Sequence, residues 1–225
     1  MINIVMLVRD RPRLTEQALR TLFKNTREQF TLTIINDDSG NETSGVLAGI
    51  TGDNVKLVLI PDSDHITAKL RNKGVVLSEL YFGRGDWLYL ADNDSYFGYQ
   101  WDVILTQTYE IFRKNRFLVI GGQNHHFHQP VNTPVAMGNG VSLREYHAIA
   151  GTSQLMRWGT WDRFGPLVET GAPGPGNSED FVFCQRIIDD GGRVGAVWPE
   201  VVHDCGLTQT GGAPAIGADT KKRYD

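Results

Sequence analysis

The chain has 225 residues, 40% hydrophobic and 21% charged, which suits one soluble globular domain, or one with a small extension, and supplies a sizeable core. Its net charge of −4 gives no global basic field for nucleic acid, and its two cysteines, Cys184 and Cys205, exclude a disulfide scaffold and point to a reducing compartment, the cytoplasm. No stretch approaches the length of a membrane span, and the apolar opening over residues 1–8 lacks the basic flank and cleavage site of a signal peptide.

Strand and helix signals alternate through the first half. Ile2 to Val8 is a continuous apolar run, as expected of a strand buried on both faces. Pro12 suits a first helical turn, and Leu14, Ala18, Leu22 and Phe23 recur at helical spacing. Phe30 to Ile35 is β-branched and ends in the turn cluster Asn36-Asp37-Asp38-Ser39-Gly40. A short helix is expected over Glu42 to Ile50, and a third strand over Val55 to Ile60, closed by Pro61. Thr67 to Leu80 predicts a helix with Leu70, Gly74, Leu77 and Leu80 near one stripe, and Trp87 to Ala91 a fourth strand. This βαβαβαβ order predicts an α/β domain with a mainly parallel sheet. Beyond it the pattern loosens. A helix is expected over Trp101 to Asn115, a strand over Phe117 to Ile120, loops or a hairpin over Gln123 to Tyr146, and a strand over His147 to Met156. Residues 167–178, rich in glycine and proline, read as a loop. Ser178-Glu179-Asp180 opens a helix through Ile188, with Ser178 as N-cap and the acids at the positive helix end. A strand over Arg193 to Trp198 and the run Val201-Val202-His203 follow, and residues after Gly206 read as a lid or tail.

Four polar clusters end or interrupt apolar runs: Asp37-Asp38, Asp92-Asn93-Asp94, Glu179-Asp180 and His203-Asp204. Strand ends in α/β sheets are where such folds bind ligands. Two carboxylates at one strand end can share a hard divalent cation, Mn²⁺ or Mg²⁺, with the oxygens of a substrate phosphate. His125-His126-x-His128 lacks a neighbouring Cys or Glu to complete a zinc site and reads better as a loop with aromatic and imidazole contacts.

The order and spacing of the four clusters resemble the family-2 glycosyltransferases of the GT-A fold. Further local patterns carry the likeness: Arg9-Asp10-Arg11-Pro12 after the first strand, the turn Asp37-Asp38-Ser39-Gly40, Arg71-Asn72-Lys73-Gly74 on a helix, and Glu179-Asp180 followed by Phe181, Cys184 and Arg186. The resemblance implies a single catalytic domain over 1–206, with a nucleotide-binding half at 1–98 and an acceptor-binding half at 99–206, followed by a lid or tail at 207–225. It implies a mixed, mainly parallel central sheet flanked by helices. It also implies metal-dependent, inverting transfer of a sugar from a nucleotide-sugar donor, most simply a UDP-sugar, to an acceptor hydroxyl. On that likeness Asp94 ligates the metal with His203 as a co-ligand and Asp204 as its substitute. Val8, Arg9, Arg11, Asp38, Arg71, Asp92 and Asn93 contact the donor. Asp180 is the general base, with Glu179 beside it on the acceptor side. Each has a bland alternative: an Asx turn for Asp37-Asp38, a helix cap for Glu179-Asp180, a surface arginine for Arg71 and a structural histidine for His203.

Trp101, Trp158 and Trp161 are expected in the core, with one of them stacking on a sugar. The family likeness also admits a macromolecular acceptor such as hydroxymethylated DNA in a phage-infected cell, where Arg113, Lys114, Arg116 and Lys221, Lys222, Arg223 would supply basic contacts. Rival readings are a nucleotidyltransferase making sugar nucleotides and a non-catalytic nucleotide- or carbohydrate-binding module. The first lacks its glycine after the first strand, and the second does not explain Asp180. A haloacid-dehalogenase-like phosphatase would carry its Asp-x-Asp on the first strand, with Thr or Val where this chain has Tyr96.

Overall fold

The computed structural model describes residues 1–123, 130–131, 135–136, 141–168 and 178–205. The elements in chain order are β1 (Ile2–Val8), α1 (Pro12–Asn25), β2 (Phe30–Asp37), α2 (Asn41–Ala48), β3 (Val55–Ile60), α3 (Thr67–Phe82), β4 (Trp87–Asp92) and β5 (Ser95–Phe97). They continue with α4 (Trp101–Phe112), β6 (Phe117–Gly121), β7 (Val135–Ala136), β8 (Ser142–Tyr146), β9 (Ser153–Arg157), α5 (Trp158–Phe164), α6 (Glu179–Asp189), β10 (Arg193–Trp198) and β11 (Val202–Asp204). A 3₁₀ turn, Arg113–Asn115, takes the end of the helix expected to run to Asn115.

Nine strands form one sheet in the order β3-β2-β1-β4-β9-β6-β10-β8-β7. The first four are mutually parallel, so the carboxyl ends of β1, β2 and β4 lie along one rim. Chain order reverses between β1 and β4, and a ligand crevice opens outside the strand ends at such a switch point. Strand β9 then enters antiparallel between β4 and β6. It is shorter than expected, because residues 147–152 form no strand. Its first residue, Ser153, pairs with Ala91, which returns the segment Gly151-Thr152 to the rim beside Asp92. The hairpin expected within residues 123–146 is present as β7–β8.

Alternation along the central strands divides the core. Ile2, Ile4, Met6 and Val8 with Trp87, Tyr89 and Ala91 pack with α1 and α4 on one face. Val5, Leu88 and Leu90 pack with α3, α5 and α6 on the other. Helix α3 sits close because Gly74 faces Val5 and Ile35, where a Cβ would stand 2.5 Å from Val5 Cγ1. Its predicted stripe is correct at Leu70 and Gly74 and fails at Leu80, which is 72% exposed. Arg71, Val75 and Ser78 are buried there, so the covered face is rotated from the purely apolar one. No helix among the described residues is long and apolar enough to cross a membrane.

Candidate functional site

A cavity of about 600 Å³ opens at the switch point, lined by Leu7, Arg9, Asp10, Arg11, Asp37, His65, Thr67, Asp92, Asn93 and Asp94. Three connections shape its rim. After β1, Asp10 and Arg11 both adopt left-handed backbone, with φ of 51° and 59°, a conformation that costs free energy outside glycine and collects at functional sites. Asp10 is tied to the turn after β2, since its Oδ1 accepts from Gly40 N at 2.9 Å and its own N–H donates to Ser39 Oγ at 3.0 Å. After β4, Asn93 is buried, and its Nδ2 donates to Asp10 O at 2.9 Å and Thr15 Oγ1 at 2.7 Å. The middle residue of the Asp-x-Asp turn therefore clamps two loops together and spends its amide within the protein.

Asp94 follows Asn93 on the same cavity wall. Its Oδ2 is ion-paired with Arg11 Nη1, its main-chain oxygen accepts from Cys205 N at 2.7 Å, and its Oδ1 is buried with no hydrogen-bond partner. Burial pushes its carboxyl up to about 7, the charges of Asp92 and Asp204 push the same way, and Arg11 opposes them. The two-stranded ribbon β5–β11 brings the late polar pair here, pairing Asp204 with Ser95 and His203 with Tyr96. His203 is itself half-buried, with Nδ1 3.3 Å from Glu200 Oε2. No group of three or more His, Cys, Asp or Glu side chains among the described residues is arranged to hold a metal. The orphaned Asp94 oxygen nevertheless fits a divalent cation, which takes one or two carboxylates and draws its remaining ligands from substrate phosphate and water.

Asp92 faces the other way, toward Arg71. Arg71 is 3% exposed, and its guanidinium lies 2.6 Å from Asp92 Oδ1 and 3.2 Å from Glu179 Oε1. Burial works against its charge, yet Asp92, Glu179 and, beyond them, Asp180 hold its pKa above the ordinary arginine value. Burial raises the Glu179 carboxyl, Arg71 counteracts, and Asp180 adds to the rise. Asp180 Oδ2 accepts from Gly151 N at 2.9 Å and its Oδ1 from Phe181 N at 2.7 Å. Ser178 occupies the expected N-cap of α6, without a side-chain cap bond. The structure thus joins Asp92 to Glu179-Asp180 through Arg71, whose guanidinium is directed to carboxylates inside the protein.

At the far end of the cavity Asp37 is buried on its wall, and His65 Nδ1 stands 3.0 Å from Asp37 Oδ1. Asp38 is exposed, with a left-handed φ of 49°. Val8 is fully buried at the end of β1 and Arg9 is exposed on the cavity rim. Sequence reasoning missed His65, a lone histidine in an irregular loop with no periodic or motif signal. Trp101 and Trp158 are core residues bonded through Nε1 to Thr26 and Asn3, and Trp161 packs on Phe183. Arg113 and Arg116 are each paired with an acid, Glu110 and Asp190. Residues 124–129, with the three histidines, the glycine-rich stretch 169–177 and the tail with Lys221, Lys222 and Arg223 lie outside the described residues.

The fold has known counterparts. The chain superposes on GalNAc-T7, a structure containing UDP, GalNAc and Mn²⁺, with a TM-score of 0.66 and 13% identity, covering 88% of this chain and 43% of that one. It matches the mannosyltransferase PcManGT of Pyrobaculum calidifontis, in complex with GDP-Man and Mn²⁺, at 0.60 and 12% identity over 88% and 54% of the two chains. It matches residues 1–349 of S. aureus TarS at 0.57 and 15% identity over 87% and 58%. The mixed α/β architecture is thus that of GT-A glycosyltransferases, and the chain spans about half the length of these structures. No protein-family model matches the sequence, and no curated protein matches it.

Proposed function

We propose that the protein is a metal-dependent glycosyltransferase that moves a sugar from a nucleoside-diphosphate donor to an acceptor hydroxyl with inversion. The observation that carries this is the unpartnered, buried Asp94 oxygen at the switch-point cavity, with two further carboxylates near enough to raise its pKa. Asp94 would hold a divalent cation there, and the cation would neutralise the departing diphosphate. The N-terminal ends of α1 and α3 meet the same cavity at Arg11 and Thr67, and Arg9 lines it, which favours an anionic ligand there. At the opposite end the Asp37 carboxylate accepts a nucleobase N–H, as the N3–H of uracil would supply, and His65 Nδ1 steadies it. Asp180 takes the proton of the acceptor hydroxyl as its oxygen attacks the anomeric carbon and the bond to the diphosphate oxygen breaks. The two backbone N–H bonds to Asp180 fix its carboxylate in place while leaving lone pairs for that proton.

The test is nucleotide release from a panel of UDP-, GDP- and other sugar donors with Mn²⁺, followed by acceptors from small sugars to hydroxymethylated DNA. A hit in the wild type that drops about 100-fold or more in both Asp94→Ala and Asp180→Asn supports the reading, given the usual worth of a general base and a charge-stabilising group. Full activity in both variants overturns it.

A further inference from the structure

Arg71 touches both sides of the cleft. Its Nη2 meets Asp92, at the end of β4, and its Nη1 meets Glu179, in the first turn of α6. Nε has no hydrogen-bond partner, so the burial of this side chain is repaid only at the two terminal nitrogens. Gly151 lies directly against the guanidinium. A Cβ there would stand 1.8 Å from Nη1 and 2.8 Å from Cζ, so the guanidinium would have to move, and with it the bonds to Asp92 and Glu179. The φ of Gly151 is not among the left-handed values, so the glycine serves space and not backbone conformation. Its N–H also donates to Asp180 Oδ2 at 2.9 Å. One guanidinium and one bare peptide therefore hold three carboxylates that come from distant parts of the chain.

We propose that Arg71 and Gly151 are paired positioning residues that set the separation between Asp92 on the donor side and the Glu179-Asp180 turn on the acceptor side. Gly151 is the position whose missing side chain admits the guanidinium. Arginine suits this place because its planar fork bonds two carboxylates at once, which a lysine ammonium cannot do in the same geometry. With the fork removed, Asp92 and Glu179 repel across the gap, α6 shifts, and the peptide of Gly151 loses its hold on Asp180.

The experiment is site-resolved amide hydrogen exchange on wild type, Arg71→Met, Arg71→Lys, Gly151→Ala and the Arg71→Met/Gly151→Ala double variant. Exchange of the residue-151 amide and the first turn of α6 is expected to speed up about 10-fold or more in Arg71→Met and in Gly151→Ala, while β1 and β2 keep their protection. The double variant should be no worse than Arg71→Met, because the atoms a Cβ would meet are gone, and Arg71→Lys should fall between wild type and Arg71→Met. Additive losses in the double variant, or wild-type exchange at residue 151 in Arg71→Met, would overturn the proposal. If Arg71→Met does not fold, Arg71→Lys decides alone, and wild-type exchange in it overturns the proposal. The kinetic arm rests on the sugar-transfer reading: kcat should fall about 100-fold in Arg71→Lys with the donor KM within about threefold, the mark of misplaced groups and not of lost binding. A parallel loss of donor binding counts against it. A wild type that transfers no sugar from any donor sinks the sugar-transfer reading, and hydrogen exchange alone then decides whether Arg71 and Gly151 position the carboxylates.

Discussion

Asp94 sits in a place that resists a negative charge. In the unfolded chain its pKa is 3.8, and in the fold it rises to about 7, chiefly through burial. An acid with a raised folded pKa costs no stability below its unfolded pKa. The cost then grows by about 1.4 kcal/mol per pH unit until the pH passes the folded value. Asp94→Asn should therefore raise the Tm of the metal-free protein clearly at about pH 8 and much less at about pH 5. The Arg11 pair that the variant loses is already contained in the folded value, since Arg11 opposes the rise. Thermal melts at the two pH values check this, and an equal shift at both would mean that Asp94 is not titrating in this window. The residues behind this behaviour are partly legible in the sequence. Asp94, Asp92 and Glu179-Asp180 stand out because carboxylates at strand and helix ends are chemically conspicuous. The role of Asn93 as a clamp between loops, and that of His65 against Asp37, depend on contacts across 78 and 28 residues that no local pattern announces.

At the scale of elements, the long periodic segments are readable. Strands β1 to β4 and helices α1 and α3 carry enough apolar residues at the right period to declare themselves. The short ones are not. The three-residue strands β5 and β11 have no periodicity to detect and exist because they pair with each other. Helix α5, seven residues long, is too short for a helical period to stand out in the sequence. The buried stripe of α3 departs from the apolar one because the carboxylate partners of Arg71 draw that residue inward. The tight seat of this helix gives a direct prediction. Gly74→Ala places a methyl against Val5 and Ile35 from strands held on both sides, and should lower stability by about 2 kcal/mol despite the better helix propensity of alanine. Denaturant unfolding measures it, and a stabilised variant would show that α3 can move away from the sheet at no cost.

For the molecule as a whole, α/β class and strand direction follow from element order, but sheet order does not. The antiparallel entry of β9 between β4 and β6 is a non-local pairing, and it sets Gly151 beside Asp92. The cavity that results belongs to the folded state alone, so its ligand must stabilise the fold by mass action. UDP with Mn²⁺ at about 100 times its Kd should add about 2.7 kcal/mol, visible as a rise in Tm that Asp94→Ala abolishes. An unchanged Tm at saturating UDP and Mn²⁺ would argue for another nucleotide, and silence across all diphosphates would remove the donor from this cavity.

The ribbon β5–β11 has a consequence for synthesis. Residues 94–98 are held by residues 201–205, through Gly98 N to Val201 O and Cys205 N to Asp94 O as well as the strand pairing itself. The pairings among β1 to β4 all lie within the first 92 residues, so these strands are made before any of the later ones. The Asp94 turn, however, waits for a segment made more than one hundred residues later. During that interval the Asp94 turn lacks its strand partner, so a chain stalled before residue 201 cannot close the ribbon.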